Sequence, residues 1–168
     1  MKTTVGVTSI NGNPLTLMGE MVKVGDVAQD FTALNNELKP VKLTDFNGKK
    51  VILSIMPSID TPVCASQTRR FNEEAAKMEN VAVITLSNDL PFALARFCGN
   101  EGIENAITLS DQKDRDFGYK YGFYIQELGL LARGIVVINE EGQVVHVEFV
   151  KEVTNEPNYD AALRAVQG

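Results

Sequence analysis

The chain has 168 residues, of which 44% are hydrophobic and 23% charged, and its formal net charge at pH 7 is −6. This length fits a single domain, residues 1–168, with a proper hydrophobic core. The acidic balance, without a basic run, argues against nucleic acid and acidic membrane surfaces as partners. No apolar stretch has membrane-spanning length and no signal-like segment follows Met1, so we expect a cytoplasmic protein.

The N-terminal half is predicted to form a hairpin and then further strands. Asn11-Gly12 separates two alternating segments, which is a strong hairpin signal. A solid apolar run before Pro57 indicates a buried strand. The predicted strands of this half lie at residues 5–10, 13–17, 30–34 and 51–56.

In the C-terminal half, helices are predicted to alternate with strands. The first helix follows Thr61. Asp89 is expected to cap the second, with Pro91 in its first turn and Gly99 as its terminator. Pro157 is expected to open the last helix. The remaining predicted elements are strands at 81–86, 107–109, 135–138 and 144–150 and a short helix at 115–121.

This order of elements predicts a thioredoxin-like α/β fold, with a central mixed sheet flanked by helices and an extra N-terminal β-hairpin. A thioredoxin would need two cysteines separated by two residues, but Cys64 is followed by Ala65-Ser66-Gln67. The two cysteines, Cys64 and Cys98, are expected to be free, catalytic or redox-cycling, because permanent disulfides are uncommon in the cytoplasm. With one histidine and two distant cysteines, metal catalysis is not expected.

The start of the first helix is the most informative part of the chain. Thr61 is predicted to be the N-cap and Pro62 the first helical residue, where its missing N–H costs nothing. Cys64 then lies among backbone N–H groups that lack intrahelical partners, at the positive end of the helix dipole. That position favours the thiolate, which is the nucleophilic form of cysteine. The alternative is that Cys64 is a small buried hydrophobic residue, as most free cysteines are.

Three segments of the chain resemble the bacterial thiol peroxidases, which are atypical two-cysteine peroxiredoxins. They are the motif Pro57-x-x-x-Thr61-x-x-Cys64, the segment Leu90-Pro-Phe-Ala-Leu-Ala-Arg-Phe-Cys98-Gly99, and Leu131-Ala132-Arg133 before a predicted strand. The resemblance extends over nearly the whole chain, from residue 11 to residue 157. It also implies the extra N-terminal hairpin and a homodimer.

The resemblance implies a peroxidase without a cofactor that acts in antioxidant defence. Cys64 would reduce hydrogen peroxide or an organic hydroperoxide and become a sulfenic acid, and Cys98 would convert this into an intramolecular disulfide that thioredoxin reduces. The Thr61 hydroxyl would donate toward the sulfur or the peroxide. Arg133 would favour the thiolate and polarise the O–O bond, and Pro57 would shape and shield the pocket.

The residues leave three alternatives open. In the first, Cys64 works alone with a different reductant. In the second, the chain is a redox sensor or holdase in which the disulfide signals or changes assembly. In the third, the domain is inert and has two buried thiols. Each of three site residues also has an alternative without a chemical role. In these alternatives Thr61 is only a helix cap, Arg133 is an exposed arginine at the start of a strand, and Cys98 is a buried residue of a helix.

Two further expectations concern motion and the pocket wall. A disulfide needs Cα atoms within about 7 Å, and two well-formed helices would hold the sulfurs further apart, so we expect residues 92–102 to unwind on oxidation. The apolar segment 123–131 is expected to pack in the core or an interface, or to form a wall for bulky organic hydroperoxides. His146 is expected to be a strand-face residue without a chemical role.

Overall fold

The elements follow the predicted order in the structure, a computed structural model that describes residues 1–101 and 107–168, without the side chains of residues 100 and 101. Gly102, the end of the segment expected to unwind, lies outside the described residues. The strands are β1 (Thr3–Ile10), β2 (Asn13–Met18), β3 (Thr32–Leu34), β4 (Pro40–Lys42), β5 (Lys50–Ile55), β6 (Val81–Ser87), β7 (Ile107–Ser110), β8 (Tyr124–Ile125), β9 (Leu130–Leu131), β10 (Gly134–Ile138) and β11 (Val144–Phe149). The α-helices are α1 (Pro62–Ala75), α2 (Pro91–Glu101), α3 (Asp116–Tyr121) and α4 (Tyr159–Gln167), and Leu43–Phe46 form a short 3-10 helix.

The central sheet has the strand order β11-β10-β5-β6-β7-β3-β4. Strands β5, β6 and β7 are parallel to one another, and β10 runs antiparallel to β5. On one face, Phe71 of α1 and Leu163 of α4 pack against the sheet. On the other face, an aromatic cluster that includes Phe31 and Phe117 packs against it. Both faces are covered, which explains why every residue of β5 after Lys50 is buried and all of these except Ser54 are apolar. The predicted thioredoxin-like fold is confirmed.

The predicted N-terminal hairpin is confirmed, and it belongs to a second sheet. Asn11 and Gly12 both have positive φ angles, 51° and 80°, which is the geometry of the tight turn that such a pair favours. This sheet has the order β1-β2-β8-β9. Strands β8 and β9 lie in the segment 123–131 and were not predicted, because strands of two residues are too short to show an alternating pattern. Within the described residues, no helix is both long and apolar enough to cross a bilayer.

Three predicted helix boundaries are wrong. Gly99 does not terminate α2, which continues to Glu101; glycine is permitted within a right-handed helix. Asp89 does not cap α2, because its carboxylate accepts hydrogen bonds from the loop before α1. Pro157 does not open α4, whose cap is Asn158, with a side-chain oxygen that accepts from the N–H of Ala161 at 3.0 Å.

Asp111, a buried carboxylate at the end of β7, gives the fold a pH dependence. It accepts the N–H groups of Phe117 and Gly118, both at 2.9 Å, but burial raises its pKa from 3.8 to about 6. The folded protein therefore binds this proton more tightly than the unfolded chain does, and the resulting stability is present below pH 4 and lost as the pH rises through 6.

We expect the free energy of unfolding of the parent, relative to Asp111→Asn, to fall by up to about 3 kcal/mol between pH 4 and pH 7. Urea unfolding of both proteins across this range measures the difference. A difference that is constant, or that grows with pH, would contradict the assignment of this proton to Asp111.

Candidate active site

Cys64 is the third residue of α1 and is fully buried. Strand β5 leads into the loop 56–61, and Thr61 is the N-cap of the helix, with Pro62 as its first residue. The Thr61 hydroxyl oxygen accepts a hydrogen bond from the N–H of Cys64 at 3.4 Å. The sulfur therefore lies at the N-terminus of α1, at the carboxyl end of a central strand, where ligand sites of α/β sheets commonly form.

The surroundings of the thiol are apolar. Cys64 packs in a small cluster with Met56, Ile59 and Leu94, and Phe97 lies against the same cluster. Leu94 and Phe97 belong to α2, so this helix covers the cysteine. Burial alone would disfavour a thiolate here. A reactive Cys64 therefore needs positive charge close by.

Arg133 is buried beside the first turns of α1, although it stands at the start of a strand, and only 2% of it is exposed. Its Nε donates to the carbonyl of Val153 at 2.7 Å, and its Nη1 donates to Oε1 of Gln67 at 3.0 Å. Gln67 lies three residues after Cys64 and therefore on the same face of α1. No carboxylate forms an ion pair with Arg133 among the residues that the structure describes. The alternative in which Arg133 is an exposed arginine at the start of a strand is therefore wrong.

Gln67 is a site residue that the sequence reasoning missed. It is fully buried, and its Nε2 donates to Ser54 Oγ at 2.8 Å and to the carbonyl of Ile55 at 3.3 Å. Its other side-chain atom, Oε1, holds Arg133. The available signal was a long polar side chain three residues after Cys64, on the helix face that turns toward the sheet.

The Thr61 hydroxyl does not donate to sulfur in this structure. Its proton goes to the carbonyl of Ser58, at 3.1 Å, while its oxygen accepts from Cys64. Because a hydroxyl has one proton, donation to a peroxide requires a rotation about the C–O bond. Pro57 is buried in the same loop and has no N–H to offer.

Cys98 lies in the last turn of α2 and is partly buried, and both cysteines are free. Its sulfur is 3.7 Å from the hydroxyl oxygen of Thr108 in β7. Leu94, which contacts Cys64, precedes Cys98 by four residues, or about 6 Å along the helix axis. Cys98 is therefore directed at the sheet, one turn beyond the part of α2 that covers Cys64.

A surface cleft of about 330 Å³ lies between the start of α1 and α2, and it is lined by neighbours of Cys64 but not by Cys64 itself. An ion pair joins its two sides, with Asp60 and Arg96 3.9 Å apart and both well exposed. Segment 123–131 contributes no residue to the lining of this cleft. The expectation that it packs in the core is confirmed, because Phe123 and Ile125 are buried there. The residues that line the cleft are Ile59, Asp60, Thr61, Pro62, Ala65, Ala93, Arg96 and Phe97.

The chain is similar over nearly its whole length to proteins of one known family. Residues 23–163 match the family described as Redoxin. The chain is 54% identical over 159 residues to a thiol peroxidase of Bacillus subtilis, covering 95% of each chain. A crystal structure of a peroxiredoxin-like protein from Aquifex aeolicus superposes with a TM-score of 0.90 at 39% identity, covering 96% of each chain. A thiol peroxidase from Chromobacterium violaceum, 20% identical, shares the fold with a TM-score of 0.86 over 95% of this chain and 94% of its own. The chain therefore belongs to the redoxin family, in its thiol peroxidase branch, and is a peroxidase of the peroxiredoxin type.

Proposed function

We propose that this peroxidase reduces hydrogen peroxide and organic hydroperoxides through Cys64, with Cys98 as the resolving cysteine and thioredoxin as the reductant. The observation that carries the proposal is a cysteine at a helix N-terminus, three residues before Gln67, which accepts a hydrogen bond from the buried Arg133. Arg133 has no carboxylate partner among the described residues. Burying an unpaired cation is costly. A thiolate at Cys64 would offset that cost.

In the first step, the Cys64 thiolate attacks the terminal oxygen of the hydroperoxide. An S–O bond forms as the O–O bond breaks, and the departing alkoxide or hydroxide takes up a proton, so that the thiol and the hydroperoxide become a sulfenic acid and an alcohol or water. The N–H groups at the start of α1 and the guanidinium of Arg133 favour the developing negative charge on oxygen. Thr61 donates its hydroxyl proton to the peroxide once it turns away from Ser58.

In the second step, the thiol of Cys98 attacks the sulfenic sulfur. An S–S bond forms and water leaves with the thiol proton. Thioredoxin then reduces the disulfide by thiol–disulfide exchange and becomes oxidised itself. Because Cys98 faces Thr108 while the protein is reduced, the end of α2 has to loosen before the sulfurs can meet. Such a reductant fits a cytoplasmic location, which we also propose.

The Cys98→Ser variant tests the roles of both cysteines. We expect it to reduce one equivalent of peroxide, then to stall as the sulfenic acid and to drift to sulfinic acid under excess oxidant. Peroxide consumption is followed with thioredoxin, thioredoxin reductase and NADPH. Sustained turnover at the parental rate by Cys98→Ser would exclude Cys98 as the resolving residue and favour a mechanism that uses Cys64 alone.

Hydrogen exchange tests the expected unwinding at the end of α2. Hydrogen exchange of the amides in residues 92–99 should be faster in the disulfide form than in the reduced form, because the last turn of α2 has to open. Exchange that is equal in the two forms would contradict this movement.

We also propose that the chain forms a homodimer through an apolar surface next to the site. Leu90, Phe92 and Leu128 are 52%, 66% and 38% exposed. The segments that carry them are adjacent, since the side chain of Asn88 donates to the carbonyl of Gly129 at 3.2 Å. A second copy that covers this surface would remove exposed apolar area of the kind that marks interaction sites.

Replacing Phe92 with serine should shift the protein from dimer to monomer in sedimentation velocity. Val27, 79% exposed and distant in sequence from these segments, supplies the matched control, and Val27→Ser should leave the assembly state unchanged. A parent that sediments as a monomer at every concentration would refute the dimer.

A further inference from the structure

Asp89 joins the loop 56–61, which leads into the helix of the reactive cysteine, to the loop before α2. One carboxylate oxygen accepts from Ser58 Oγ at 2.8 Å, and the other accepts from the N–H of Ile59 at 2.7 Å. The second oxygen also accepts from Ser87 Oγ at 2.8 Å. Two of these three bonds cross between loops that are about thirty residues apart in sequence. The carboxylate therefore fixes the position of Ser58 and Ile59 relative to the sheet.

The hydrogen bonds continue from Ser58 to the thiol-bearing residue. The Ser58 carbonyl accepts the Thr61 hydroxyl at 3.1 Å and the Thr61 N–H at 3.4 Å. The Thr61 oxygen in turn accepts the N–H of Cys64 at 3.4 Å. The orientation of the Thr61 hydroxyl thus depends on where Ser58 is held, and Asp89 holds Ser58.

A carboxylate in this place is unfavourable for electrostatic reasons. Negative charge near a thiolate disfavours the thiolate, so Asp89 does not assist Cys64 through its charge. Asp89 therefore acts through its hydrogen bonds. A carboxylate can accept several hydrogen bonds at once, while an amide has a single acceptor oxygen and two donor hydrogens. The carboxylate accepts all three donors that meet at Asp89, whereas an amide would have to donate to a serine hydroxyl that has turned to accept.

We propose that Asp89 is a positioning residue for peroxide reduction, acting through Ser58 on the hydroxyl of Thr61. The proposal rests on the proposed roles of Cys64 and Thr61. It assigns to Asp89 a function in the first chemical step, in addition to any contribution to stability.

The test measures the second-order rate constant of Cys64 oxidation by hydrogen peroxide in stopped flow, with Cys98→Ser present in every protein so that disulfide formation does not interfere. Asp89→Asn should slow oxidation by about tenfold, as expected when a hydrogen bond that orders a reacting group is lost. Ser58→Ala should slow it in the same direction. Asp26→Asn is the matched control, since the Asp26 carboxylate also accepts a backbone N–H, that of Lys23, but has no hydrogen bond to the loop 56–61, and it should leave the rate unchanged.

A double-mutant cycle separates positioning from general destabilisation. If Asp89 acts through Thr61, the tenfold effect of Asp89→Asn should shrink to less than about twofold when Thr61→Val is already present. An effect of equal size in both backgrounds would overturn the proposal, as would an Asp89→Asn rate equal to that of the parent. If Asp89→Asn fails to fold, Ser58→Ala takes its place in the cycle with Thr61→Val, and the same two outcomes support or overturn the proposal. If peroxide does not oxidise Cys64 in the parent, the proposed function itself is wrong. This result distinguishes failure of the proposed function from failure of the proposed role of Asp89.

Discussion

The Cys64→Ser variant is expected to fold like the parent and to lose peroxide reduction entirely. Serine fits the buried site at the third position of α1, because it is close in size to cysteine and preserves the hydrogen bond from the backbone N–H to Thr61. A hydroxyl cannot replace a thiolate as the attacking group at neutral pH. Peroxide consumption with thioredoxin and its reductase measures the loss, and circular dichroism verifies the fold.

Cys98→Ser is the matched control for the first peroxide equivalent, because the same atom is replaced at the other cysteine. It should retain stoichiometric reduction, whereas Cys64→Ser should show none. Activity of Cys64→Ser above a small fraction of the parental value would remove Cys64 from the centre of the mechanism.

The second large effect is expected at Arg133. Replacement with methionine keeps much of the bulk of the stem but removes the buried cation, so we expect peroxide attack to slow by about 100-fold or more, as when a donor that stabilises transition-state charge is removed. Alkylation of Cys64 at pH 7 should slow as well, because the guanidinium that would stabilise the attacking thiolate is gone. Gln67 and Val153 also lose a donor, so stability is to be measured in parallel.

Arg70→Met is the matched control for Arg133. It removes the same charge from the same region, but the Arg70 side chain is 42% exposed, pairs with Glu74 and Asp160, and lies over the ring of Tyr159. A solvent-exposed charge is largely screened, so the control should react nearly as fast as the parent. Equal slowing in both variants would mean that net charge, and not the buried guanidinium, governs the reaction.

The parts of the fold that sequence predicted correctly depend on local signals. Asn11 and Gly12 specify their turn through the conformations available to them, and Thr61 with Pro62 specifies the start of α1 within four residues of Cys64. Such signals reside in neighbouring residues, and they do not depend on the rest of the structure.

The features that sequence missed depend on contacts between distant segments. Strand β8 is too short to show a pattern and exists because Leu17 pairs with Ile125. Asp89 has the composition of a helix cap, yet its carboxylate bonds to a loop that only the folded sheet brings near. Gln67 becomes a site residue only once Arg133 is placed beside it. Periodicity and capping rules contain no information about which distant groups meet.

Intact mass under non-reducing conditions, recorded before and after one equivalent of an organic hydroperoxide, tests the central claim most directly. We expect the reduced protein to lose two hydrogens and remain a single covalent chain, with a peptide map that joins Cys64 to Cys98. Peroxide that disappears while the mass stays unchanged, a stable gain of one oxygen on the parent, or a disulfide between two chains would each contradict reduction by Cys64 with intramolecular resolution by Cys98.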